Sequence, residues 1–541
     1  MAEYDYVIVG AGSAGCVLAN RLTESGKHRV LLLEAGGSDR KFWVRTPIGY
    51  GRTFYDSRVN WMYLTEPDPE TGGRVSYWPR GKVLGGSSSI NAMVYIRGQP
   101  GDFDDWEAAG NPGWGWRDVL PYFQRAENNA LGEGDLRGVG GPLDVADASA
   151  SMHPLCQNYL RGCGELGFEI VNDMNGSRHE CVGLYQITTR NGVRASAATA
   201  YLRPAMRRPN LRVVTGAHAT KILFEGSRAI GVEYVRGGRT ERVLAGREVI
   251  LSAGSINSPQ LLQLSGVGPS EVLQRHGIPV VQDMPAVGRN LQDHLGVDYL
   301  YSSRLPTLND DLYPWHGKLR AGLKYVLTRR GPLSLSVNQG GGFIRTRPGL
   351  TRPNLQLYFS PVSYLKAPPG TRPLMNPDPY SAFLLGFSTC RPVSRGFIEI
   401  GSRDPFGPPK IHPNYLSAHE DMIEQLDGVR FMRRLAATPS MRAIIEAEMK
   451  PGRAVQSEEE LIADIRQRCG TVFHPVGTCM MGPDPSRTVV DSRLRVHELT
   501  GLRVIDASVF PNVTSGNTNA PTIMVAEKGA DIVLHDAESR G

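Results

Sequence analysis

The sequence lacks the features of a membrane-spanning or exported protein. No apolar run approaches the roughly 18 residues that a bilayer-spanning helix needs. The N-terminus shows no basic region, long apolar stretch or small-residue cleavage site of a secretion signal. These absences predict a cytoplasmic protein and leave only peripheral contact with the inner membrane open.

A concentration of charge of one sign is also missing. The 60 Lys and Arg residues face 54 Asp and Glu residues, for a net charge of +6, and the basic residues are spread along the chain. Nucleic-acid binding needs Lys and Arg gathered in one patch, so that class is excluded. No repeat of roughly 20–50 residues occurs, which excludes solenoids and propellers.

Cysteine is sparse and scattered. The seven cysteines form no CxxC pair, and their number is odd. This usage predicts reduced thiols in a cytosol, with no metal site and no disulfide framework.

A glycine-rich turn follows the first apolar segment. Residues 5–9 are typical of a buried parallel strand, and Gly10, Gly12 and Gly15 then precede a helical pattern. The first glycine allows a tight turn, the second lets backbone approach a pyrophosphate, and the third lets the helix pack on the strand. The spacing predicts a dinucleotide site with helix N-terminal amides facing the phosphates.

An acidic residue ends the second strand of this unit. Residues 30–33 form another apolar strand, and Glu34 follows about 20 residues after Gly15, where a carboxylate accepts the ribose hydroxyls. The acid disfavours a 2′-phosphate and therefore NADP. FAD and NAD both remain open from this unit alone.

Two further segments combine glycine turns with small polar residues. Residues 81–91 hold paired glycines and three serines, which suit a phosphate or a flavin ring, although a flexible loop has the same composition. Residues 254–268 follow an apolar strand at 248–253. They predict a turn and a helix with Pro259 near its first position and a glycine stop.

Polar residues mark the C-terminal part of the chain. Asp506 ends an apolar strand, so it can hydrogen-bond a ribitol or cap a helix. Asn517 stands before a helix predicted from about residue 522 to 534, whose dipole can stabilise an anion. Taken alone, His474, which stands between Phe473 and Pro475, is best explained as a core histidine.

Together these motifs resemble the glucose–methanol–choline (GMC) family of FAD-dependent alcohol oxidoreductases. Residues 81–104 resemble the family's first signature, 254–268 its second and 474–519 its catalytic end. The similarity covers essentially the whole chain. Segments 87–98 and 287–294 look most similar to bacterial choline-dehydrogenase-like FAD alcohol dehydrogenases.

The resemblance implies the cofactor contacts. The glycine turn and the acid would hold the ADP half of FAD, and the serine-rich loop would follow the pyrophosphate and flavin. Ala219 would touch the adenine, and Asp506 the middle of the cofactor. The implied cofactor-binding residues are Gly10, Gly12, Ser13, Ala14, Gly15, Glu34, Ala35, Val83, Gly86, Ser87, Asn91, Met93, Val94, Ala219, Asp506, Ala507 and Thr518.

The resemblance also implies the reaction. An alcohol, favoured to be primary, would be oxidised to an aldehyde by hydride transfer to flavin N5. His474 would act as the base and Asn517 would occupy the second catalytic position, while a quinone, a dye-type acceptor or O2 would take the electrons. His294, in a Gln-Asp-His segment, is assigned a structural role. Members with covalently attached flavin carry a His where this chain has Ile90, so non-covalent FAD is expected.

The implied fold is α/β (α+β overall), with a Rossmann-like FAD-binding lobe interleaved with a substrate lobe built on an antiparallel sheet. The FAD lobe would gather residues 1–155, 200–297 and 465–541, and the substrate lobe 156–199 and 298–464. Period-two alternation at 355–359 and 396–400 agrees with a strand-rich substrate lobe. The Pro-rich segment 365–380 is predicted to be a surface loop.

Two other functions stay open from the residues. The family also includes lyases and a decarboxylase on the same flavin fold, and a flavin-binding protein without catalysis is a further alternative. His474 with Asn517 favours alcohol oxidation, because an alcohol needs a base and an oxyanion partner at one carbon. No aromatic cage for a choline-like cation is recognisable, so a neutral or weakly polar alcohol is expected.

Overall fold

Two large sheets organise the chain, which is described here from a computed structural model over residues 3–364 and 376–539. Most of the Pro-rich segment predicted to be a surface loop, residues 365–375, lies outside the described residues.

The first sheet has seven strands and a parallel centre. The expected first strand is formed, and it pairs in parallel with the strand that ends at Glu34 and with the strand that ends at Leu251. In spatial order the strands are Leu211–Thr215, Val30–Glu34, Tyr4–Val9, Arg239–Leu251, Arg228–Arg236 and Ala217–Glu225, and Leu502–Val504 also pairs with Arg239–Leu251.

The second sheet has eight strands and is antiparallel except at one edge, where the last pair is parallel. In spatial order the strands are Ile445–Lys450, Leu295–Ser303, Ala382–Thr389, Leu355–Ser360, Gly340–Ile344, Cys181–Leu184 and Ile170–Val171, and Gly470–Thr471 also pairs with Leu295–Ser303.

Five small two-stranded sheets complete the β structure of the described residues. The pairs are Tyr63–Leu64 with Tyr77–Trp78, Glu127–Asn129 with Leu143–Val145, Thr189–Arg190 with Val193–Arg194, Val267–Gly268 with Gln282–Asp283, and Phe397–Glu399 with Lys410–His412. The alternating segment 396–400 is thus a strand, but it pairs here and not in the second large sheet.

The α-helices connect and cover the sheets. They span Ser13–Thr23, Phe42–Arg45, Tyr50–Thr53, Pro100–Ala108, Trp116–Ala126, Leu155–Glu165, Arg203–Ala205, Gly254–Leu264, Ser270–Arg275, Leu308–Leu312, Trp315–Thr328, His419–Ala436, Pro439–Arg442, Glu458–Arg468 and Asn519–Ser539. None of these helices combines the length and apolarity needed to cross a bilayer.

Each large sheet has its own apolar core. The first core joins the first sheet to helices Ser13–Thr23 and Asn519–Ser539. The second joins the antiparallel sheet to helices Leu155–Glu165 and His419–Ala436. The mixed α/β class and the GMC-type architecture expected from the sequence are confirmed.

The five-segment division into lobes stays a prediction. The positions of the strands in the two large sheets can be compared with the predicted ranges. Every strand of the first sheet lies within the ranges assigned to the FAD lobe. The second sheet begins one of its strands at Leu295, before the assigned boundary at 297, and takes Gly470–Thr471 from the third FAD range.

The position of Pro259 differs from the expected one. The helix begins at Gly254, so Pro259 lies inside it and cannot donate to the carbonyl of Ser255 four residues earlier. Thr478 Oγ1 donates to that carbonyl instead, at 2.6 Å. A side chain from the C-terminal region therefore satisfies the acceptor that the proline leaves open.

Candidate active site

A cavity of about 560 Å³ extends between the two large sheets. Its wall includes Glu34 at the end of a strand of the first sheet, and Tyr358 and Phe387 from strands of the second. His474 and Asn517 line the same cavity. The C-terminal end of the parallel strands is the usual position of a ligand in an open α/β sheet.

The glycine turn forms one wall through close backbone approach. A Cβ on Gly10 would lie 2.5 Å from the carbonyl oxygen of Ser252, and Gly10 has φ +98°, a conformation that favours glycine. A Cβ on Gly15 would lie 1.9 Å from the Gly10 oxygen. Gly15 therefore serves helix packing behind the wall, whereas Gly10 and Gly12 line the cavity.

Glu34 is buried at the edge of this turn. Its carboxylate accepts hydrogen bonds from the Ala11 N–H at 2.8 Å and the Gly36 N–H at 2.7 Å. Burial raises the pKa of Glu34 to about 7, against the lowering effect of those two N–H donors. The buried carboxylate lines the cavity where the first two strands end, as the ribose position requires.

The serine-rich loop packs directly on the glycine turn. A Cβ on Gly86 would lie 2.7 Å from the Gly12 Cα, so the two backbones touch. Val83 does not line the cavity. Its side chain packs in a small apolar cluster with Val44, Val59 and Ile90, and the expected cofactor contact of this residue stays a prediction.

Asp506 is fixed by three donors. Its Oδ2 accepts from the Gly254 N–H at 2.8 Å and from Ser258 Oγ at 2.6 Å, and its Oδ1 accepts from the Ser508 N–H at 2.8 Å. Asp506 lines the cavity and connects the N-terminal part of helix Gly254–Leu264 to the C-terminal segment of the chain.

The cavity brings together nearly all of the residues that the sequence singled out for the cofactor. Those on the wall are Gly10, Gly12, Ser13, Ala14, Glu34, Ala35, Gly86, Ser87, Asn91, Met93, Val94, Ala219, Asp506, Ala507 and Thr518.

This wall fits FAD by its shape and by its donor set. A buried carboxylate stands at the ribose end, close-packed glycines offer backbone amides at the N-terminus of helix Ser13–Thr23, and the opposite end holds a histidine–asparagine pair. Helix N-termini and exposed amides stabilise phosphate charge. Among residues 3–364 and 376–539, no group of three or more His, Cys, Asp or Glu side chains is arranged to hold a metal ion.

The backbone around His474 is held from two sides. Phe473 has φ +70°, and Arg80 donates to its carbonyl at 2.7 Å. The His474 N–H donates to Asp293 Oδ1 at 2.7 Å. Residues 292–294 run antiparallel beside 474–476, through paired backbone hydrogen bonds between Gln292 and Val476.

A hydrogen-bonded chain determines the proton positions on the His474 ring. His294 Nε2 lies 3.0 Å from the carbonyl oxygen of Cys390, which can only accept, so Nε2 carries the proton. In neutral His294, Nδ1 is then an acceptor, and it lies 3.0 Å from His474 Nδ1. His474 therefore donates from Nδ1 and presents Nε2 as a lone pair.

Asn517 completes the pair. Its Nδ2 lies 3.2 Å from His474 Nε2, and its Oδ1 accepts from Gln356 Nε2 at 3.2 Å. Because Gln356 donates to the oxygen, the amide turns its NH2 group toward His474. The two ends of the relay, at Cys390 and at Gln356, thus fix one orientation for both rings and for the amide.

Burial keeps both histidines neutral. Desolvation lowers the pKa of His474 well below 6.5, and the neighbouring His294 and Arg80 lower it further. Desolvation also lowers the pKa of His294 to about 4. A neutral imidazole with a lone pair on Nε2 can accept a proton from a hydroxyl placed against it.

Three residues at the site were not predicted from the sequence to contact the catalytic pair or to line the cavity. His294 was assigned a structural role, yet its ring contacts the His474 ring directly. Gln356 sits on a strand with no motif, and Asp298 lines the cavity from the strand Leu295–Ser303. For His294, the sequence signal was that segment 287–294 resembles the bacterial choline-dehydrogenase-like enzymes.

Comparisons with known proteins agree with this geometry. Family models described as GMC oxidoreductase match residues 4–296 and 392–526. The "Alcohol dehydrogenase [acceptor]" of Pseudomonas putida is 43% identical over 539 residues, covering 99% of this chain and 96% of that one. The mitochondrial choline dehydrogenase of Mus musculus is 43% identical over 540 residues, covering 98% and 89%.

Solved structures give the same result. Pyridoxine 4-oxidase from Mesorbium loti superimposes with a TM-score of 0.88 at 32% identity, over 98% of this chain and 99% of that one. A variant of Aspergillus oryzae formate oxidase, studied for its FAD modification, gives 0.91 at 27% identity, over 99% of both. The chain belongs to the GMC oxidoreductase family and is an FAD-dependent enzyme that acts on CH–OH donors.

Proposed function

We propose that this enzyme oxidises a primary alcohol to an aldehyde, with His474 as the base and Asn517 as the oxygen-binding partner. The observation that carries the proposal is the 3.2 Å contact between His474 Nε2 and Asn517 Nδ2 on the wall of the FAD cavity. It puts an acceptor and a donor side by side, which is what a hydroxyl group requires as it loses its proton.

The chain's own residues handle the proton. When the alcohol oxygen lies between the two side chains, His474 Nε2 accepts the hydroxyl proton and the Asn517 amide donates to the same oxygen. FAD, when bound, supplies the acceptor for the hydride that leaves the alcohol carbon. The alcohol thus loses one proton and one hydride and becomes an aldehyde. His474 is buried in the cavity wall, and burial strengthens its contact with the alcohol oxygen relative to the same contact in bulk water.

The cofactor is held without a covalent bond in this proposal. Ile90, which lines the cavity, has no nucleophilic atom with which to attach a flavin. Acid precipitation of the purified yellow protein is expected to release all of the FAD into the supernatant. Flavin colour that stays with the precipitate would contradict the proposal.

The reduced enzyme passes its electrons to a quinone, a dye-type acceptor or O2, and works in the cytoplasm or at the inner membrane surface. The name of the Pseudomonas putida relative, "Alcohol dehydrogenase [acceptor]", includes an acceptor without identifying it, so a quinone, a dye and O2 all stay within the proposal. The relatives named above are dehydrogenases and oxidases, which gives no support to a lyase or decarboxylase.

The deciding experiment mixes the purified enzyme with a panel of alcohols without oxygen. Bleaching of the flavin absorbance and stoichiometric formation of the aldehyde are expected for primary alcohols. A second mixing step with oxygen, or with a water-soluble quinone, then identifies the acceptor by which one restores the colour. Because conversion of an alcohol to an aldehyde removes two electrons, absence of bleaching with every alcohol of the panel would contradict the proposal.

A further inference from the structure

The helix Trp315–Thr328 exposes its apolar face to solvent. Leu327 is 80% exposed and Trp315 is 76% exposed, the highest values among the large apolar side chains of residues 3–364 and 376–539. Leu319, Leu323 and Val326 are more than half exposed as well. Because these positions follow one another at helical spacing, they form one continuous apolar stripe.

Basic residues border this stripe on both sides. Residues 313–330 contain five Lys or Arg residues and no Asp or Glu. At 3.6 residues per turn, Lys318 lies along one edge of the stripe and Arg320 and Lys324 lie along the other, and Arg329 directly follows the last residue of the helix. All four are exposed, although Arg320 also pairs with Asp311 at 2.9 Å.

A neighbouring helix adds exposed aromatic side chains beside helix Trp315–Thr328. Phe42, 51% exposed, meets the Tyr325 ring edge-on with ring centroids 6.4 Å apart. Trp43 is exposed beside it, and the Arg52 guanidinium lies over its indole ring at 5.7 Å. We call the combined surface of Phe42, Trp43 and the exposed face of helix Trp315–Thr328 the apolar–basic patch.

The buried face of the same helix joins the patch to the active-site cavity. Ala321 and Tyr325 pack in one apolar cluster with Tyr50 and Val337, and those two residues line the cavity. The patch therefore lies on the outer side of an element whose inner side supports the cavity wall.

We propose that the apolar–basic patch docks the enzyme on an anionic lipid bilayer. Trp, Phe and Leu side chains enter the boundary between headgroups and acyl chains, while Lys and Arg at the edges contact lipid phosphates. A second copy of the chain fits less well, because a two-fold interface would set the basic edges of two patches against each other. The proposal concerns location and does not depend on the reaction.

Sedimentation of the holoenzyme with lipid vesicles tests the docking. The wild-type protein is expected to bind vesicles of phosphatidylcholine with phosphatidylglycerol, to bind phosphatidylcholine alone more weakly, and to be released by salt. The double variant Trp315→Asn/Leu327→Asn should lose roughly tenfold or more in binding constant per apolar side chain. The double variant Lys318→Glu/Lys324→Glu should lose roughly fivefold or more per residue on the anionic vesicles.

A control variant changes two exposed apolar side chains outside the patch. Val139→Asn/Leu244→Asn alters residues that are 47% and 48% exposed outside the patch, and it should bind vesicles as the wild type does. Retained FAD and unchanged flavin reduction by alcohol in every variant show that the fold is kept.

Three results would overturn the proposal. In the first, the wild-type protein fails to sediment with anionic vesicles at low salt. In the second, the patch variants and the control bind equally well. In the third, sedimentation velocity shows a wild-type dimer that Trp315→Asn/Leu327→Asn converts to a monomer while vesicle binding is unchanged, which makes the patch a subunit interface.

Discussion

His294 and His474 meet through their Nδ1 atoms at 3.0 Å, with the two rings nearly perpendicular. The contact is directional, because the Cys390 carbonyl on the far side of His294 leaves only one arrangement of protons for two neutral rings. His294 is thus a positioning residue that keeps His474 Nε2 unprotonated and facing the cavity.

Replacing His294 should slow catalysis without loss of FAD. His294→Leu removes the acceptor for His474 Nδ1–H and is expected to reduce the anaerobic rate of flavin reduction by about 10- to 100-fold, as for other residues that orient a functional histidine. His294→Gln restores an acceptor oxygen and should recover part of the rate. Equal rates in the two variants would show that His294 only fills space.

Replacing the proposed base should have the larger effect. His474→Ala is expected to keep the fold and bound FAD while reducing flavin reduction by at least about a hundredfold, because a positioned base contributes roughly 10²–10⁴ in rate. Asn517→Ala removes one donor and no base, so it should lose less. Stopped-flow mixing with alcohol under anaerobic conditions measures both. If His474→Ala is reduced as fast as the wild type, another group is the base.

The dependence of activity on pH should follow the lowered pKa of His474. The neutral form is the active one, and burial places its pKa well below 6.5. Activity is therefore expected to be complete above pH 6.5 and to fall only when the pH drops through that lower pKa. A profile of kcat/KM against pH checks this, since it reports groups of the free enzyme. A half-point above 6.5 that disappears in His474→Ala would contradict the burial argument.

Glu34 should control retention of the cofactor. Glu34→Ala removes a buried carboxylate that accepts two backbone N–H groups and faces the ribose position. Hydrogen bonds to charged groups contribute about 1.5–3 kcal/mol, so the Kd for FAD should rise by roughly 10- to 100-fold. Glu34→Gln, which keeps one acceptor oxygen, should lose less. Titration of the apoprotein with FAD gives the constants, and an unchanged Kd in Glu34→Ala would refute the role.

Replacing Asp298 tests whether the substrate is neutral or cationic. Asp298 lines the cavity, and so do aromatic residues such as Tyr358 and Phe387. No sequence pattern indicated that these aromatic residues form a cage. We expect octanol or benzyl alcohol to have a higher kcat/KM than choline, and Asp298→Asn to leave the values for the neutral alcohols unchanged. A preference for choline that Asp298→Asn abolishes would identify a cationic substrate instead.

The glycine turn and the acid expected to hold the ADP part of the cofactor could be predicted from the sequence, because their signals are local. The turn from Gly10 to Gly15, the acid at Glu34 and the strands around them follow from spacing and periodicity within some 30 residues. The family resemblance then supplied His474 and Asn517. Gly15 carried its own signal as a packing glycine, whereas no local signal around Val83 distinguishes a residue that lines the cavity from one whose side chain is buried in an apolar cluster.

The tertiary structure alone decided how the active site is arranged. His294 and His474 stand 180 positions apart in the chain, and Gln356 and Asn517 stand 161 apart, so only the pairing of distant strands and loops brings them together. The same holds for the apolar–basic patch. In helix Trp315–Thr328, Ala321 and Tyr325 pack against the neighbouring cluster, while the leucines are left exposed to solvent. Sequence determines which side chains share a face, and the neighbours available in the fold determine which face is covered.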